Sequence, residues 1–238
     1  MVNEKVCKNP SENKLLNTFS DVSKARLFPR LKLVKLPLGK VLFEAGQNES
    51  VVYFPIDSIV SLVSVMQNGS SAEISVVGKD GLVGIAVFMG GESMLNRAIV
   101  QSAGFAYQLS AASLFYEFNN DQATRTVLLI YTQGLIAQMA QTAVCNRHHS
   151  IDQQLCRWIL MSLDRLSDNS LVMTQELIAN MLGVRREGVS EAASKLQRLG
   201  VISYRRGHIT VLDRKKLTSL CCECYATVRN ETDRLEGF

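Results

Sequence analysis

The sequence predicts an α+β chain: an antiparallel β-roll, then one long helix, then a short helical pair closed by a β-hairpin. Three observations carry that prediction. Residues 31–109 break into short, β-branched apolar runs separated by turn dipeptides. From about Asn119 the β texture gives way to about 25 residues of helical periodicity without proline. Residues 174–212 read TQELIANMLGVRREGVSEAASKLQRLGVISYRRGHITVL, in which helical spacing passes into two β-rich arms. Many short strands at close spacing favour barrels and jelly rolls, whereas apolar residues recurring every three to four positions favour helices.

At 238 residues and 47% hydrophobic content the chain has material for two cores. The opening MVNEKVCKNPSENK is polar and lacks the apolar stretch of a signal peptide. No uninterrupted apolar run approaches the roughly 20 residues that span a bilayer, so a cytoplasmic chain without a membrane partner is expected. Six cysteines (Cys7, Cys145, Cys156, Cys221, Cys222 and Cys224) are few and poorly spaced for a disulfide framework. Cys221, Cys222 and Cys224 cluster without a neighbouring histidine in the sequence. Cys145 stands near His148 and His149 without further ligands. Structural thiols, no metal and no cofactor are therefore expected.

Residues 1–28 read as an N-terminal arm that becomes helical over Lys14–Phe28. Residues 29–118 hold the roll. Its expected strands are LKLVKL, KVLFEAG, VVYFPI, SIVSLVSVM, AEISVVG, RAIVQS and FAYQLS. The turns between them are signalled by Pro37–Gly39, Gly46–Asn48, Asn68-Gly69, Lys79-Asp80-Gly81 and Gly90-Gly91. Residues 119–146 form the long helix, where Leu128, Tyr131, Leu135, Met139 and Thr142 mark a stripe that fits a seam with a second copy. Residues 147–238 make the last domain. It opens with an amphipathic helix over Ile151–Leu166, with Trp158 as core, and Asp168-Asn169-Ser170 closes that helix as a turn.

In the last domain Leu177, Ile178, Met181 and Leu182 form one apolar stripe, and Gly183 sits where two helices must turn sharply. The second helix turns Val189, Ala193, Leu196 and Leu199 or Gly200 inward. Its opposite face carries Glu187, Glu191, Ser194 and Arg198, flanked by Arg186 and Ser190. VISYRRGHITVL then supplies a hairpin with a basic tip. That order is a winged helix-turn-helix, an arrangement that reads double-stranded DNA. The charge agrees: residues 174–216 carry nine Lys/Arg against four acids, +5, whereas residues 30–120 carry six against seven, −1. Arg186 and Glu187 are candidates for base edges, since arginine bonds guanine bidentately and glutamate accepts from cytosine N4. Arg185, Ser190, Lys195, Arg205, Arg206 and His208 are candidates for phosphate contacts.

With these three parts in this order, the chain resembles the Crp/Fnr family of bacterial transcription regulators over about residues 30–225, most specifically in TQELIANMLGVRREGVSEAASKLQRLG. The resemblance implies a cyclic-nucleotide-binding-like jelly roll, a dimerising long helix, a homodimer reading an inverted-repeat operator, and RNA polymerase as a further partner. Arg186 and Glu187 match an Arg-Glu pair that members use on base edges, while Glu191 stands where some carry a second base-reading arginine. The ligand cassette departs from the family. Gly81-Leu82-Val83-Gly84 has leucine where the ribose-binding glutamate belongs, and Asn96-Arg97-Ala98 has its arginine displaced by one position. A one-residue shift on a strand turns a side chain to the other face. Gly81, Leu82, Gly84 and Arg97 thus mark a ligand position from which the usual cyclic nucleotide is lost, leaving an unknown small molecule as any effector. Cys7 alone near the N-terminus does not match the cluster-binding branch.

Two other readings share the fold: a cyclic-nucleotide-responsive regulator of the usual type, and a non-catalytic dimeric scaffold. An enzyme has no support, since the chain shows no P-loop, no GxGxxG after a strand, no HExxH and no GxSxG.

Overall fold

In a computed structural model describing residues 8–91 and 93–236, each of the seven expected runs forms a strand: β1 (Lys32–Leu36), β2 (Val41–Phe43), β3 (Val51–Pro55), β4 (Ile59–Val65), β5 (Ser71–Val77), β6 (Arg97–Ser102) and β7 (Gly104–Ser110). Cys7 and the start of the N-terminal arm lie outside the described residues. Two antiparallel sheets, in orders β1-β7-β3 and β2-β6-β4-β5, face one another. Leu36, Phe54, Leu62, Val77, Leu82 and Leu109 fill the space between them. Helices α1 (Lys14–Asn17) and α2 (Asp21–Leu27) close one side of the roll. Asn13 ties them down: its buried amide donates to the carbonyls of Pro55 and Gly81, while its Oδ1 caps α1 at the Leu16 N–H.

A short helix α3 (Ala86–Met89) and helix α4 (Ala111–Asn120) precede α5 (Gln122–His148). The long helix therefore starts three residues later than expected, because Asp121 leaves the helical conformation and caps α5 at the Thr124 N–H, 2.9 Å away. By length and composition alone α5 could cross a bilayer, with a mean hydropathy of 1.2 over an 18-residue window. A search for uninterrupted apolar runs misses this. Here, however, one face of α5 lies on the roll.

That face is the stripe expected to form a seam. Leu128, Leu135 and Thr142 are buried within the chain, and Tyr131 and Met139 pack beside the first two. The Tyr131 hydroxyl donates to the Leu82 carbonyl (2.7 Å), and Gln138 Oε1 accepts from Ser75 Oγ (2.8 Å) and the Val76 N–H (2.7 Å). The stripe is thus used up inside the chain. One residue further round the helix, Leu129 (45% exposed) and Ile136 (56%) stand in solvent, and Gln133, Ala140, Ala143 and Val144 continue their face. A helix with apolar residues on two faces offers two stripes of similar period, and periodicity cannot say which one the roll takes.

The last part comprises α6 (Ile151–Leu163), β8 (Ser170–Val172), α7 (Gln175–Leu182), α8 (Arg186–Arg198), β9 (Ile202–Arg205), β10 (His208–Val211), α9 (Arg214–Leu220) and α10 (Glu223–Glu236). The expected turn at Asp168-Asn169-Ser170 gives way to β8 at Ser170. There Leu171 pairs with Ile209 and adds a third strand, in order β8-β10-β9. Trp158, Ile178, Val189, Leu196, Ile209 and Leu217 share one core, which Ile59, Val63 and Val76 of the roll also enter. Polar ties join the two parts: Arg165 to Asp80 at 2.8 Å, and Gln101 Nε2 to Ser162 Oγ at 3.0 Å. Beside them, burial pushes the Glu73 carboxyl up to about 7 against the hydrogen bond from Ser61.

Candidate nucleic-acid interface

Helix α7 is capped by Thr174, whose hydroxyl accepts from the Leu177 N–H, and ends at Gly183 (φ +67°), the left-handed residue that lets the chain double back. Ile178, Met181 and Leu182 face inward, while Leu177 is partly exposed. Helix α8 follows at once. Arg185, its N-cap, is extended and makes no side-chain cap, so the first N–H groups of α8 open outward beside two arginines. Val189, Ala192, Ala193 and Leu196 anchor the helix. Leu199 lies at its frayed end, 39% exposed, rather than inside. Glu187, Glu191, Ser194, Lys195 and Arg198 face solvent with Arg186.

The wing turns in two residues, since Arg205 pairs with His208 across the hairpin. Arg206 (φ +48°) and Gly207 (φ +82°) are both left-handed, as a tight hairpin of this twist requires. Arg206 is the one non-glycine residue with positive φ among the described residues, a conformation that costs of order 1–3 kcal/mol and gathers at functional positions. Arg186 of α8, Arg206 of the wing and the Thr174–Glu176 turn of α7 line one cleft of about 240 Å³. Tyr204 floors it: its hydroxyl donates to the Met173 carbonyl (2.7 Å), and burial pushes its pKa up to about 12.

The sequence-predicted residues divide by their partners. Arg185, Arg186, Arg205, Arg206 and also Arg198 have no ion-pair partner among the described residues, and His208 is exposed. Lys195 instead forms an ion pair with Asp152, and Ser190, half-buried, donates to Gln175 Oε1 at 2.6 Å. Arg214 and Lys216, counted in the basic total, are likewise occupied, by Asp164 and by the Leu199 carbonyl. Thr174 and Gln175 were not singled out in the sequence. A Thr directly before a helical run was the available signal.

In the roll, Gly81, Leu82 and Gly84 come together and Arg97 does not join them. Leu82 is fully buried. Gly81 lies so close under Tyr131 that an added Cβ would stand 2.4 Å from its ring, and Gly84 (φ +114°) faces Val52 and Glu49. Asn96 and Ala98 line the cavity beside Leu82 and Gly84, so strand alternation carries Arg97 to the other side, where its Nε meets Glu44 Oε2 at 2.7 Å. The cavity is about 10 Å³, space for about one water. Glu49 points an unpartnered oxygen into this region, and burial pushes its carboxyl up to about 7. A larger cleft of about 280 Å³ lies outside the roll, between α1, β5 and α5, with Lys14, Asp80, Tyr131, Gln138 and Arg165 on its walls.

The cysteines require a correction. A histidine does stand by the C-terminal group, because Cys145, His149, Cys222 and Cys224 bring their ligand atoms within 4.8 Å of one another. Each half was visible in the sequence, but their meeting was not.

Residues 153–220 match the model of the Crp-like helix-turn-helix domain. No curated protein matches the chain by sequence. Solved structures of similar fold include a protein from Eubacterium rectale assigned to the Crp/Fnr transcriptional regulators (16% identity, TM-score 0.69, covering 88% of this chain and 98% of that one). FixK2 from Bradyrhizobium japonicum is similar at 16% identity and TM-score 0.67, over 81% of this chain and 98% of its own. So is CLP from Xanthomonas campestris, described as a c-di-GMP responsive global regulator, at 16% identity and TM-score 0.62, over 82% of this chain and 100% of its own.

Proposed function

With residues 153–220 matching a Crp-like helix-turn-helix domain and 88% of the chain sharing the fold of a structure assigned to the Crp/Fnr regulators, we propose that this protein is a homodimeric, sequence-specific transcription regulator reading an inverted-repeat operator. The observation that carries the reading is Arg186: exposed at the start of α8, without an ion-pair partner among the described residues, and sharing a cleft with Arg206 of the wing. Arg186 donates to guanine O6 and N7, and Glu187 accepts from cytosine N4. Glu191 reads the next base edge. Arg185, Arg205, Arg206 and His208 hold phosphates. Ser190 and Lys195 join them by exchanging Gln175 and Asp152 for the backbone of DNA.

The seam of the dimer is the exposed stripe of α5 through Leu129, Ile136 and Ala143, whose spacing of seven suits two helices packed along one another. Two recognition helices related by that seam face successive major grooves, with half-site centres about 34–36 Å apart. The protein acts in the cytoplasm, on DNA and with RNA polymerase. At the roll, Leu82 supplies no acceptor for a ribose hydroxyl and Arg97 is held by Glu44, so cyclic AMP is not the effector and any small molecule taken there has other chemistry. Selection of binding sites from random duplex DNA tests the reading. Recovery of one inverted-repeat sequence is expected, and recovery of unselected sequence would sink it.

A further inference from the structure

Four side chains that DNA reading leaves unused meet where α5 ends and α10 begins. Cys145 lies in the last turn of α5 and His149 is its C-cap, so their i, i+4 spacing places them on one side. Cys222 directly precedes α10, and Cys224 sits in its first turn. Cys145 Sγ and Cys222 Sγ are 3.6 Å apart, and Cys224 Sγ lies 3.4 Å from His149 Nδ1. A tetrahedron with metal–sulfur bonds of about 2.3 Å and a metal–nitrogen bond of about 2.0 Å has edges of about 3.5–3.8 Å. The two spacings lie within about 0.2 Å of those edges, and all four ligand atoms lie within 4.8 Å of one another. They are far beyond the roughly 2.05 Å of a disulfide, and an iron–sulfur cluster would hold its cysteines further apart, with several irons between them.

The surroundings are those of a closed site. The three cysteines are buried and His149 is partly so, leaving no ligand position open to solvent. His149 Nε2 lies 3.3 Å from Glu223 Oε1, which holds the ring by one nitrogen and leaves Nδ1 facing the cysteines. Gln141 Nε2 donates to Cys224 Sγ at 3.0 Å. Arg157 is buried on α6 and donates to Thr142 Oγ1 (3.1 Å), one turn before Cys145 on the same face of α5, while its Nε has no partner. Three thiolates and a neutral imidazole around a divalent ion leave one net negative charge, which this guanidinium balances.

We infer that Cys145, His149, Cys222 and Cys224 bind one zinc ion in a tetrahedral Cys3His site that clamps α10 to the end of α5. On binding, the three thiols release their protons to solvent. Because α10 follows the DNA-reading unit in the chain and packs along α5, the ion fastens that unit to the central helix.

The test uses the full chain, purified reduced, stripped with a chelator and titrated with zinc or cobalt(II). One zinc per chain by elemental analysis is expected, with cobalt giving the visible bands of a tetrahedral thiolate site. Cys224→Ser and Cys145→Ser should lose those bands, whereas Cys221→Ser should keep them. Glu223→Gln, at an exposed side chain, should fold normally and bind cobalt roughly 10–100-fold more weakly. Amide protection of α10 should fall on stripping and return with zinc. Reduced, folded wild-type protein that takes up neither metal would overturn the site, as would iron with matching inorganic sulfide, or full zinc content in Cys224→Ser.

Discussion

The recognition helix and the interior of the roll differ in what they leave open. Along α8 and the wing, five arginines stand without ion pairs among the described residues, and Arg206 holds a strained backbone that presents it outward. At the roll, where the resemblance puts a ligand, Leu82 is buried, Arg97 is turned outward onto Glu44, and about one water fits beside the unpartnered Glu49 oxygen. A surface that leaves several like charges uncompensated suits a charged external partner, whereas a cavity filled to about one water has no room for a nucleotide. On the proposed reading, DNA contact falls to the second half of the chain, while the roll packs against one face of α5.

The largest effect should come from breaking the contacts of α5. Ile136→Glu places a charge on the proposed seam, and sedimentation should show monomers with specific DNA binding abolished. Leu135→Glu, one residue away, should instead bury a charge against the roll and cost several kcal/mol of stability in denaturant unfolding. If Leu135→Glu gives folded monomers and Ile136→Glu remains dimeric, the assignment of the two stripes is reversed.

Next in size, Arg186→Ala should weaken operator binding by about 1–3 kcal/mol, roughly 5–150-fold, while binding to random DNA changes little. Equal losses on both in a gel-shift titration would reduce Arg186 to a phosphate contact.

On the roll side, calorimetry should detect no micromolar cyclic AMP binding, and Arg97→Ala should leave DNA affinity unchanged. Saturable binding lost in that variant would show the cassette intact and erase the contrast.

A smaller effect concerns pH. Burial raises the Glu49 carboxyl to about 7 from an ordinary 4.5. Its contribution to stability is therefore complete below about 4.5 and is lost as pH rises through 7, because the unfolded chain ionises first. Glu49→Gln should remove that part of the loss, visible as a smaller drop in denaturation midpoint between acid and alkaline buffer. Glu73, raised for the same reason, should keep the remainder. The smallest effect belongs to Arg206→Gly, which should relieve the left-handed strain and raise the melting temperature slightly while weakening binding to all DNA sequences alike.

Some of this was fixed by residues near one another in the chain. The seven strands, the Gly183 turn, the polar face of α8 and the basic Arg-Gly turn follow from apolar periods and turn chemistry, which act over a few residues and survive into the fold. β8 did not announce itself, since three residues are too few to show a period and only pairing with β10 makes them a strand. The stripe of α5 that meets the roll was undecided for a related reason. Both stripes are apolar, and burial against a sheet more than 40 residues away selects between them. The one-residue displacement of Arg97 was legible in the sequence, but its partner Glu44, 53 residues earlier, was not. Cys145 and Cys222 stand 77 residues apart, and only the docking of α10 on α5 brings them together. Local spacing determined the elements and their polar faces. Tertiary packing alone decided which faces are consumed inside the chain and which side chains, distant in sequence, share one site.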